Sequence, residues 1–167
     1  MKRTPSSFRS SSGSQKFEIR GFYRQGYLGG PWRPFVRVAV ALPRFSVVRQ
    51  VDMLVDSGAD ITTLQPQDSL LLLEEPQFSQ LGEQHKVQGI GGLTNFFRED
   101  AAIGLLLPDG CTCWVPIVID IAEPSSPSGI PSTLGNDIMQ FGVTSLDAVH
   151  RTVKIELWLT HPLVTPG

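Results

Sequence analysis

The sequence predicts a mostly β protein built from short strands and many turns. Glycine (16) and proline (13) are frequent, whereas charged residues are only 18% of the 167 residues. This balance disfavours long amphipathic helices. Several short apolar runs also alternate with polar residues, as half-buried strands do. With 41% hydrophobic residues, the chain can bury one core but is too short for two full-sized domains.

The first predicted strands are residues 35–42 and 47–55, joined by a hairpin turn at 43–45. The second of these runs is apolar and leads directly into Asp56. Residues 65–73 are compatible with a loop carrying a short helix and with a strand, and the pattern leaves both open.

Two hairpins are predicted next. Residues 85–88 and 93–97 flank Gly89-Ile90-Gly91-Gly92, which indicates a hairpin with a glycine tip. The second hairpin consists of strands at 101–107 and 113–121 around a turn at 108–110.

The remaining chain is predicted to contain a loop, one short helix and a last strand pair. A Pro/Ser/Gly loop covers 123–132 and a helical segment covers 137–141. Residues 143–147 and 152–159 form the strand pair, with a turn near His150.

Residues 1–34 are predicted to be a basic arm. Ten of the 14 lysines and arginines lie in the first 50 residues, where Glu18 is the only acid. A solvated, disordered tail is expected for 1–15, with a nucleic-acid arm or an organelle transit peptide as alternatives. Residues 17–34 suggest a linker or loosely docked arm. Self-cleavage near an apolar pair such as Phe22-Tyr23 could remove the arm at 1–34. The folded domain is then 35–160, with 161–167 as a tail.

Cys111 and Cys113 share one face of a predicted strand, with a spacing that is awkward for a mutual disulfide. The three histidines are scattered, so we expect neither a metal nor another cofactor. Free thiols favour a reducing, cytoplasmic location, with organelle targeting by the N-terminus as the alternative. No apolar run is long enough to span a bilayer, so a soluble protein without a membrane partner is expected.

The run Asp56-Ser57-Gly58-Ala59-Asp60 follows an apolar strand and carries the candidate chemistry. Peptide hydrolysis by two carboxylates requires each aspartate to leave the end of a buried strand in a tight turn. A serine hydroxyl can brace that turn, and a glycine allows backbone amides to approach the carboxylate. Asp-Ser-Gly alone is also an ordinary turn sequence.

Two further segments accompany this run. The glycine tip at 89–92 suits a mobile flap that closes over a substrate. An ordinary glycine-rich turn would have the same sequence pattern. The run Leu134-Gly135-Asn136-Asp137 leads into the predicted helix, which can pack beneath the Asp56 loop or be an ordinary core helix.

Together these three segments resemble the retropepsin family of aspartic proteases over about residues 35–159. Asp56–Asp60 matches the family's catalytic D-[ST]-G-A-D run, and Gly89-Ile90-Gly91-Gly92 matches its flap tip. The resemblance implies a single-lobe closed β-barrel with a flap hairpin and one short helix, active as a homodimer. The implied activity is that of an aspartic endopeptidase acting on polypeptides.

The resemblance also implies a role for each matched residue. Asp56 is the catalytic carboxylate, and Ser57 and Gly58 brace the active site. The implied substrate contacts come from Gly58, Ala59, Asp60, Gly89 and Ile90, and the implied flap is Gly89, Ile90, Gly91 and Gly92.

Two departures from the family pattern stand out. Asn136 occupies the place of an arginine that, in retroviral members, holds the aspartate matching Asp60 through an ion pair. The chain also continues past the helix through a further strand pair, where retroviral members end in short strands that form the dimer sheet. We therefore expect a different brace for the loop and a different dimer interface.

The homodimer is also expected from counting. The mechanism needs two carboxylates sharing one proton, one acting as base and the other as acid. Asp56 lies in the only D-[ST]-G run, since Asp109-Gly110 lacks the hydroxyl residue. One chain supplies one catalytic aspartate, so two chains are required.

Two other functions compete with this one. The first is a non-catalytic dimer of the same fold that serves as a polypeptide-binding module, and the second is a hydrolase using Ser57 as nucleophile. The second lacks the G-x-S-x-G elbow of serine hydrolases. No nucleic-acid partner is expected for the folded domain.

Overall fold

The computed structural model describes residues 13–89, 92–127 and 129–166. Within these ranges the chain is mostly β, as predicted, with one sheet, three short α-helices and a 3₁₀ turn at Pro43–Phe45. The strands are β1 Gln15–Gln25, β2 Trp32–Leu42, β3 Val47–Val55, β4 Thr63–Leu64, β5 Gln84–Gly89, β6 Gly92–Leu106, β7 Thr112–Ala122, β8 Thr133–Leu134, β9 Gly142–Asp147, β10 Thr152–Leu159 and β11 Leu163–Thr165. The helices are α1 Pro66–Leu72, α2 Glu75–Phe78 and α3 Asn136–Met139.

The strands are hydrogen-bonded in the order β5-β6-β7-β4-β8-β3-β2-β1-β10-β9, and β11 pairs with β7. An additional antiparallel pairing joins β2 to β6. Because β2 and β6 are already linked through β3, β8, β4 and β7, this pairing closes a circuit of strands. Two parallel contacts, β3 with β8 and β4 with β7, bring separate parts of the chain together beside the end of β3.

The core is built from alternate side chains of the central strands. In β3, Val51, Met53 and Val55 are buried, whereas Asp52 and Leu54 between them are partly exposed. Burying such an apolar side chain contributes about 1.5–3 kcal/mol, which holds β3 firmly in place. The backbone of Asp56, the next residue, is therefore held in a fixed position. The largest fully buried side chains are Ile19, Leu42, Met53, Leu64, Ile103, Leu105, Ile119, Ile121, Leu134, Ile138, Ile155 and Leu157.

The prediction of a linker or loosely docked arm at 17–34 was wrong for β1. This strand lies in the sheet between β10 and β2, and it buries Phe17 and Ile19 in the core. The arginines of this strand, which suggested a linker, are exposed on its outer face, and its glycine lies where a side chain would not fit. The strand's main partner, β10, lies far away in the sequence, so no local pattern announces it.

Self-cleavage at Phe22-Tyr23 is disfavoured by the same geometry. Phe22 is the register partner of both Thr152 and Phe35, and its ring stacks on Phe35 at a centroid distance of 6.2 Å. A protease must bind this bond in an extended, accessible segment, which requires β1 to leave the sheet.

We predict that Ile19→Ala lowers the free energy of unfolding by about 2–4 kcal/mol, because the residue is fully buried and its loss leaves a cavity. Denaturant unfolding of the full chain measures this. Leu28→Ala is the matched control, since Leu28 is 99% exposed in the neighbouring turn and should shift stability by less than about 0.5 kcal/mol. Equal, small effects would mean that β1 is not part of the cooperative fold.

The prediction of a tail at 161–167 was also wrong in part. Leu163–Thr165 is strand β11 on the edge of β7. The indole Nε1–H of Trp114 donates to the Thr165 hydroxyl at 3.0 Å. A three-residue strand is too short to show a recognisable alternation of apolar and polar residues, so it is identified only by its pairing with β7.

Both cysteines of the described chain are free thiols. Burial raises the pKa of the Cys113 thiol to about 11, and burial together with the charge of Asp109 also raises the pKa of Cys111. Thiols of this kind are poor nucleophiles. In the described residues, no helix is long and apolar enough to cross a membrane, and no cluster of His, Cys, Asp and Glu could hold a metal ion.

Candidate active site

Asp56 lies immediately after β3 and is partly buried. Its Oδ1 accepts a hydrogen bond from the Gly58 N–H at 2.9 Å, and its carbonyl oxygen accepts one from the Ala59 N–H at 3.2 Å. A Cβ on residue 58 would lie only 3.2 Å from Oδ1, so a larger residue there would crowd the carboxylate. Among the described residues, Oδ2 of Asp56 has no hydrogen-bond partner and can face an incoming group.

Strand β8 supports Asp56 from one side. The Asp56 N–H donates to the Leu134 carbonyl at 3.2 Å, and the Leu54 N–H donates to the Ser132 carbonyl at 2.8 Å. Gly135, which follows β8, packs against the far end of the Asp56 loop. A Cβ there would lie 2.7 Å from the Ile61 carbonyl carbon, so this position requires glycine.

The start of α3 closes onto the same loop. The backbone N–H groups of Asn136 and Asp137 donate to the carbonyls of Ala59 and Asp60 at 2.8 and 3.1 Å. The Asn136 side-chain amide donates to the Ser57 carbonyl at 2.9 Å. The loop is therefore held along its length by consecutive residues of one helix end.

A second brace joins Thr62 to Asp137. One Asp137 carboxylate oxygen accepts from the Thr62 N–H at 2.8 Å, and the other accepts from the Thr62 hydroxyl at 2.7 Å. The same hydroxyl accepts the Gly135 N–H at 3.1 Å. Since Thr62 is fully buried, these hydrogen bonds are shielded from water and costly to break.

These contacts show how the loop is braced without the arginine of retroviral members. Asn136 supports the backbone at Ser57, and its hydrogen bonds among the described residues do not include the Asp60 carboxylate. The Asp137 carboxylate adds a second brace through its two hydrogen bonds from Thr62. Sequence reasoning noted the unusual Asn136 but missed Thr62 and the role of Asp137, because their contact spans 75 residues.

We predict that Thr62→Val lowers the free energy of unfolding by about 1–3 kcal/mol, because it leaves the Asp137 carboxylate and the Gly135 N–H short of a partner. Ser69→Ala is the control, since the buried Ser69 hydroxyl has no hydrogen-bond partner in the described chain. Its loss should be nearly neutral. If Thr62→Val proves as mild as Ser69→Ala in denaturant unfolding, the Thr62–Asp137 contact is not a significant brace.

The predicted glycine-tipped hairpin is formed by β5 and β6, paired in register from Gln84 opposite Phe97 to Gly89 opposite Gly92. Ile90 and Gly91, the predicted tip, lie outside the described residues. Gly89 and Gly92 thus close the described part of the hairpin.

A charged cluster sits at the base of this hairpin. Asp120 of β7 is buried, and its two carboxylate oxygens face His85 Nε2 at 3.0 Å and Arg98 Nε at 3.3 Å. His85 and Arg98 belong to the two strands of the hairpin. The Asp120 N–H donates to the Thr62 carbonyl at 3.1 Å. The base of the hairpin is therefore tied to the residue that braces the Asp56 loop.

A cavity of about 290 Å³ opens beside the loop, next to Asn136 at the start of α3. Ser57 is exposed and lines it. Within the cavity wall, the Thr144 hydroxyl of β9 is buried without a hydrogen-bond partner in the described chain. The lining residues are Val55, Ser57, Asn136, Met139, Thr144 and Leu146.

The fold brings most of the predicted site residues into two groups. Asp56, Ser57, Gly58, Ala59 and Asp60 form one continuous loop after β3. Gly89 and Gly92 lie opposite each other at the far end of the hairpin. The two groups are connected through the base of the hairpin, where Asp120 meets Thr62.

The fold is similar to that of a solved structure. The crystal structure of a retropepsin-like aspartic protease from Rickettsia conorii matches with a TM-score of 0.53 at 11% sequence identity, over 91% of this chain and 98% of that chain. The chain has a retropepsin-like fold. At this identity the similarity concerns the fold rather than the activity.

A second solved structure, the EIAV protease complexed with the inhibitor HBY-793, matches with a TM-score of 0.43 at 21% identity. That match covers 65% of this chain and 86% of the viral protease chain. No protein-family model matches the sequence, and no curated protein sequence does either.

Proposed function

We propose that the chain is an aspartic endopeptidase whose active site forms between two copies. Each copy contributes one Asp56, and the pair activates a water molecule for attack on a peptide bond. The observation that carries this proposal is the position of Asp56, which follows a buried strand of a retropepsin-like fold. Its Oδ1 is held by Gly58, and its Oδ2 has no partner within the described part of the chain.

The proposed chemistry follows from two carboxylates that share one proton. The ionised Asp56 takes a proton from water while the protonated Asp56 of the other copy donates to the carbonyl oxygen of the scissile bond. The Asp56 that took the water proton then passes it to the departing amine nitrogen as the C–N bond breaks, and a hydroxyl of the tetrahedral intermediate returns its proton to the other Asp56, which restores the shared proton. Gly58, Ala59 and Asp60 lie beside the dyad. Both backbone groups of Ala59 are already hydrogen-bonded within the fold, whereas the Gly58 carbonyl and the Asp60 N–H form no hydrogen bond among the described residues and are offered to an extended substrate.

The homodimer is supported by the surface around Ser57. The two Asp56 side chains have to lie close together in such a dimer. The surface next to Ser57 is then covered by the second copy. That surface includes the cavity with the Thr144 hydroxyl, which has no hydrogen-bond partner among the residues that the structure describes. It continues onto β9, which ends the sheet order and exposes Val143 and Leu146 at about half of their surface (51% and 49%). An exposed apolar edge strand is a usual site for strand pairing between copies.

The β5–β6 hairpin is proposed as the flap, with Ile90 at its tip and Gly89, Gly91 and Gly92 providing mobility. Its base is anchored to Asp120 through His85 and Arg98. An anchored base with a glycine-rich end favours motion of the tip over motion of the whole hairpin. This is the behaviour that a substrate-covering element requires.

The pH dependence of cleavage tests the chemistry. We predict that kcat/KM for a peptide substrate is highest at mildly acidic pH, where the dyad holds one proton, and falls as that proton is lost on the alkaline side. Initial rates over a pH series, with folding checked by circular dichroism at each pH, measure this. A rate that climbs steadily into the alkaline range would contradict the dyad and favour Ser57 as a nucleophile.

A further inference from the structure

One face of β1, β2 and β3 carries an excess of positive charge. Side chains of directly paired residues share a face of a sheet, and the pairing places three arginines around one aspartate. Arg37 is the register partner of Asp52, and Arg24 is the register partner of Arg33. This face therefore carries three arginines and one aspartate from these paired positions.

The opposition of Arg24 and Arg33 is the unusual feature. Like charges directly opposite each other on an antiparallel pair destabilise the sheet. Asp52 does not offset this charge fully. Its Oδ2 accepts from Arg24 Nη1 at 3.2 Å, while Arg37 occupies both of its oxygens at 2.7 and 3.1 Å. Arg33 forms no ion pair among the described residues.

Arg24 is also held in a fixed orientation. Its guanidinium lies over the Phe35 ring at 4.2 Å from the centroid, and the contact with Asp52 fixes one end of the fork. The Nε and Nη2 groups form no hydrogen bond within the described chain and remain free to donate. A guanidinium that is already oriented loses little conformational entropy when it binds a second carboxylate.

Two depressions meet at this point. Their volumes are about 430 and 420 Å³, and both are lined by Arg24, Gln67 and Pro131. Arg37 and Asp52 lie in the first depression, and Arg33 lies in the second. Together they form a continuous surface, which we call the arginine groove.

We propose that the arginine groove binds an acidic segment of a polypeptide partner, with a carboxylate of that segment bridging Arg24 and Arg33. A carboxylate matches the planar fork of arginine and removes the repulsion between the two guanidiniums. The remaining lining favours a peptide over an isolated phosphate group, because it combines amide and apolar side chains that suit an extended backbone. These are Gln25, Gln50, Gln67, Phe35, Val51 and Pro131. Asp68 also lines the first depression, where its carboxylate accepts the Ser132 hydroxyl, so the groove sets three arginines against two carboxylates and keeps a net positive charge. This site is separate from the proposed protease function and does not depend on it.

Binding of a dye-labelled oligoglutamate peptide to the full chain, followed by fluorescence anisotropy at low salt, tests the proposal. Arg33→Gln should weaken binding by about tenfold. Arg49→Gln should leave the affinity for the peptide unchanged, because this substitution removes the same charge from β3 at a position outside the groove. Arg9→Gln controls for the basic N-terminus in the same way. Equal losses in the three variants would show diffuse charge attraction and overturn the proposal.

Thermal unfolding provides an independent measurement, in which Arg33→Gln is expected to have opposite effects on peptide binding and on the stability of the free protein. Without peptide, Arg33→Gln should not lower Tm and should raise it slightly, because the repulsion with Arg24 is removed. With saturating oligoglutamate, the wild type should gain stability and Arg33→Gln should gain clearly less. Arg33-dependent binding of a single-stranded oligonucleotide in place of oligoglutamate would overturn the peptide assignment. Displacement of the peptide by equimolar inorganic phosphate would overturn it as well.

Discussion

Replacing Asp56 with asparagine is expected to abolish peptide cleavage while leaving the fold and any dimer intact. Asparagine keeps the size of the side chain, and its amide oxygen can still accept the Gly58 N–H. It cannot serve as the base for water or share a proton with its counterpart. The loss of acid–base function should lower kcat by at least about a thousandfold, measured on a peptide substrate with cleavage products identified by mass spectrometry.

Asp109→Asn is the matched control for this substitution. Asp109 also sits in a tight turn, where its Oδ1 accepts the Cys111 N–H at 2.9 Å, so the chemical change is the same and lies outside the proposed site. Its activity should equal that of the wild type. Retained cleavage in a clean Asp56→Asn preparation would refute the assignment of Asp56. A wild type that binds peptides without cleaving them would instead favour the polypeptide-binding module.

Activity is also expected to depend on assembly. Because each chain supplies one Asp56, an isolated chain holds half of a site. Activity per chain should therefore fall on dilution below the dimer Kd, in proportion to total concentration. Enzyme dilution series compared with sedimentation of the same samples measure this. Constant activity per chain together with a monomer in sedimentation would mean that one chain carries a complete site.

Mixing experiments sharpen the same prediction. A tenfold excess of Asp56→Asn should leave about a tenth of the wild-type activity once subunits exchange at random, because mixed dimers hold one carboxylate and one amide. Leu146→Glu should place a charge on the exposed β9 surface beside Ser57 and separate the copies. Leu163→Glu, at a comparably exposed position on β11 (65%), is the control and should leave assembly unchanged. If both variants still dimerise, the β9 edge is not the interface.

Local patterns in the sequence determined much of the β framework. The alternation of apolar residues located β3 at its observed bounds, and the glycines at 89–92 located the β5–β6 hairpin. The Asp56 run was recognisable because each residue type has a local reason: Gly58 donates to Asp56 over two positions in the chain. Signals of this kind involve neighbours in sequence, so they can be read without the fold.

Features that depend on distant partners were decided only by the tertiary structure. β1 and β11 are strands because β10, β2 and β7 offer them edges, although their own sequences suggested an arm and a tail. The Thr62–Asp137 brace and the Asp120 cluster likewise join segments that the topology brings together. The Arg24–Arg33 pair became visible only through the strand register. Composition and periodicity indicate which residues are buried. Which charged groups and hydroxyls come into contact depends instead on the pairing of strands that are distant in the sequence.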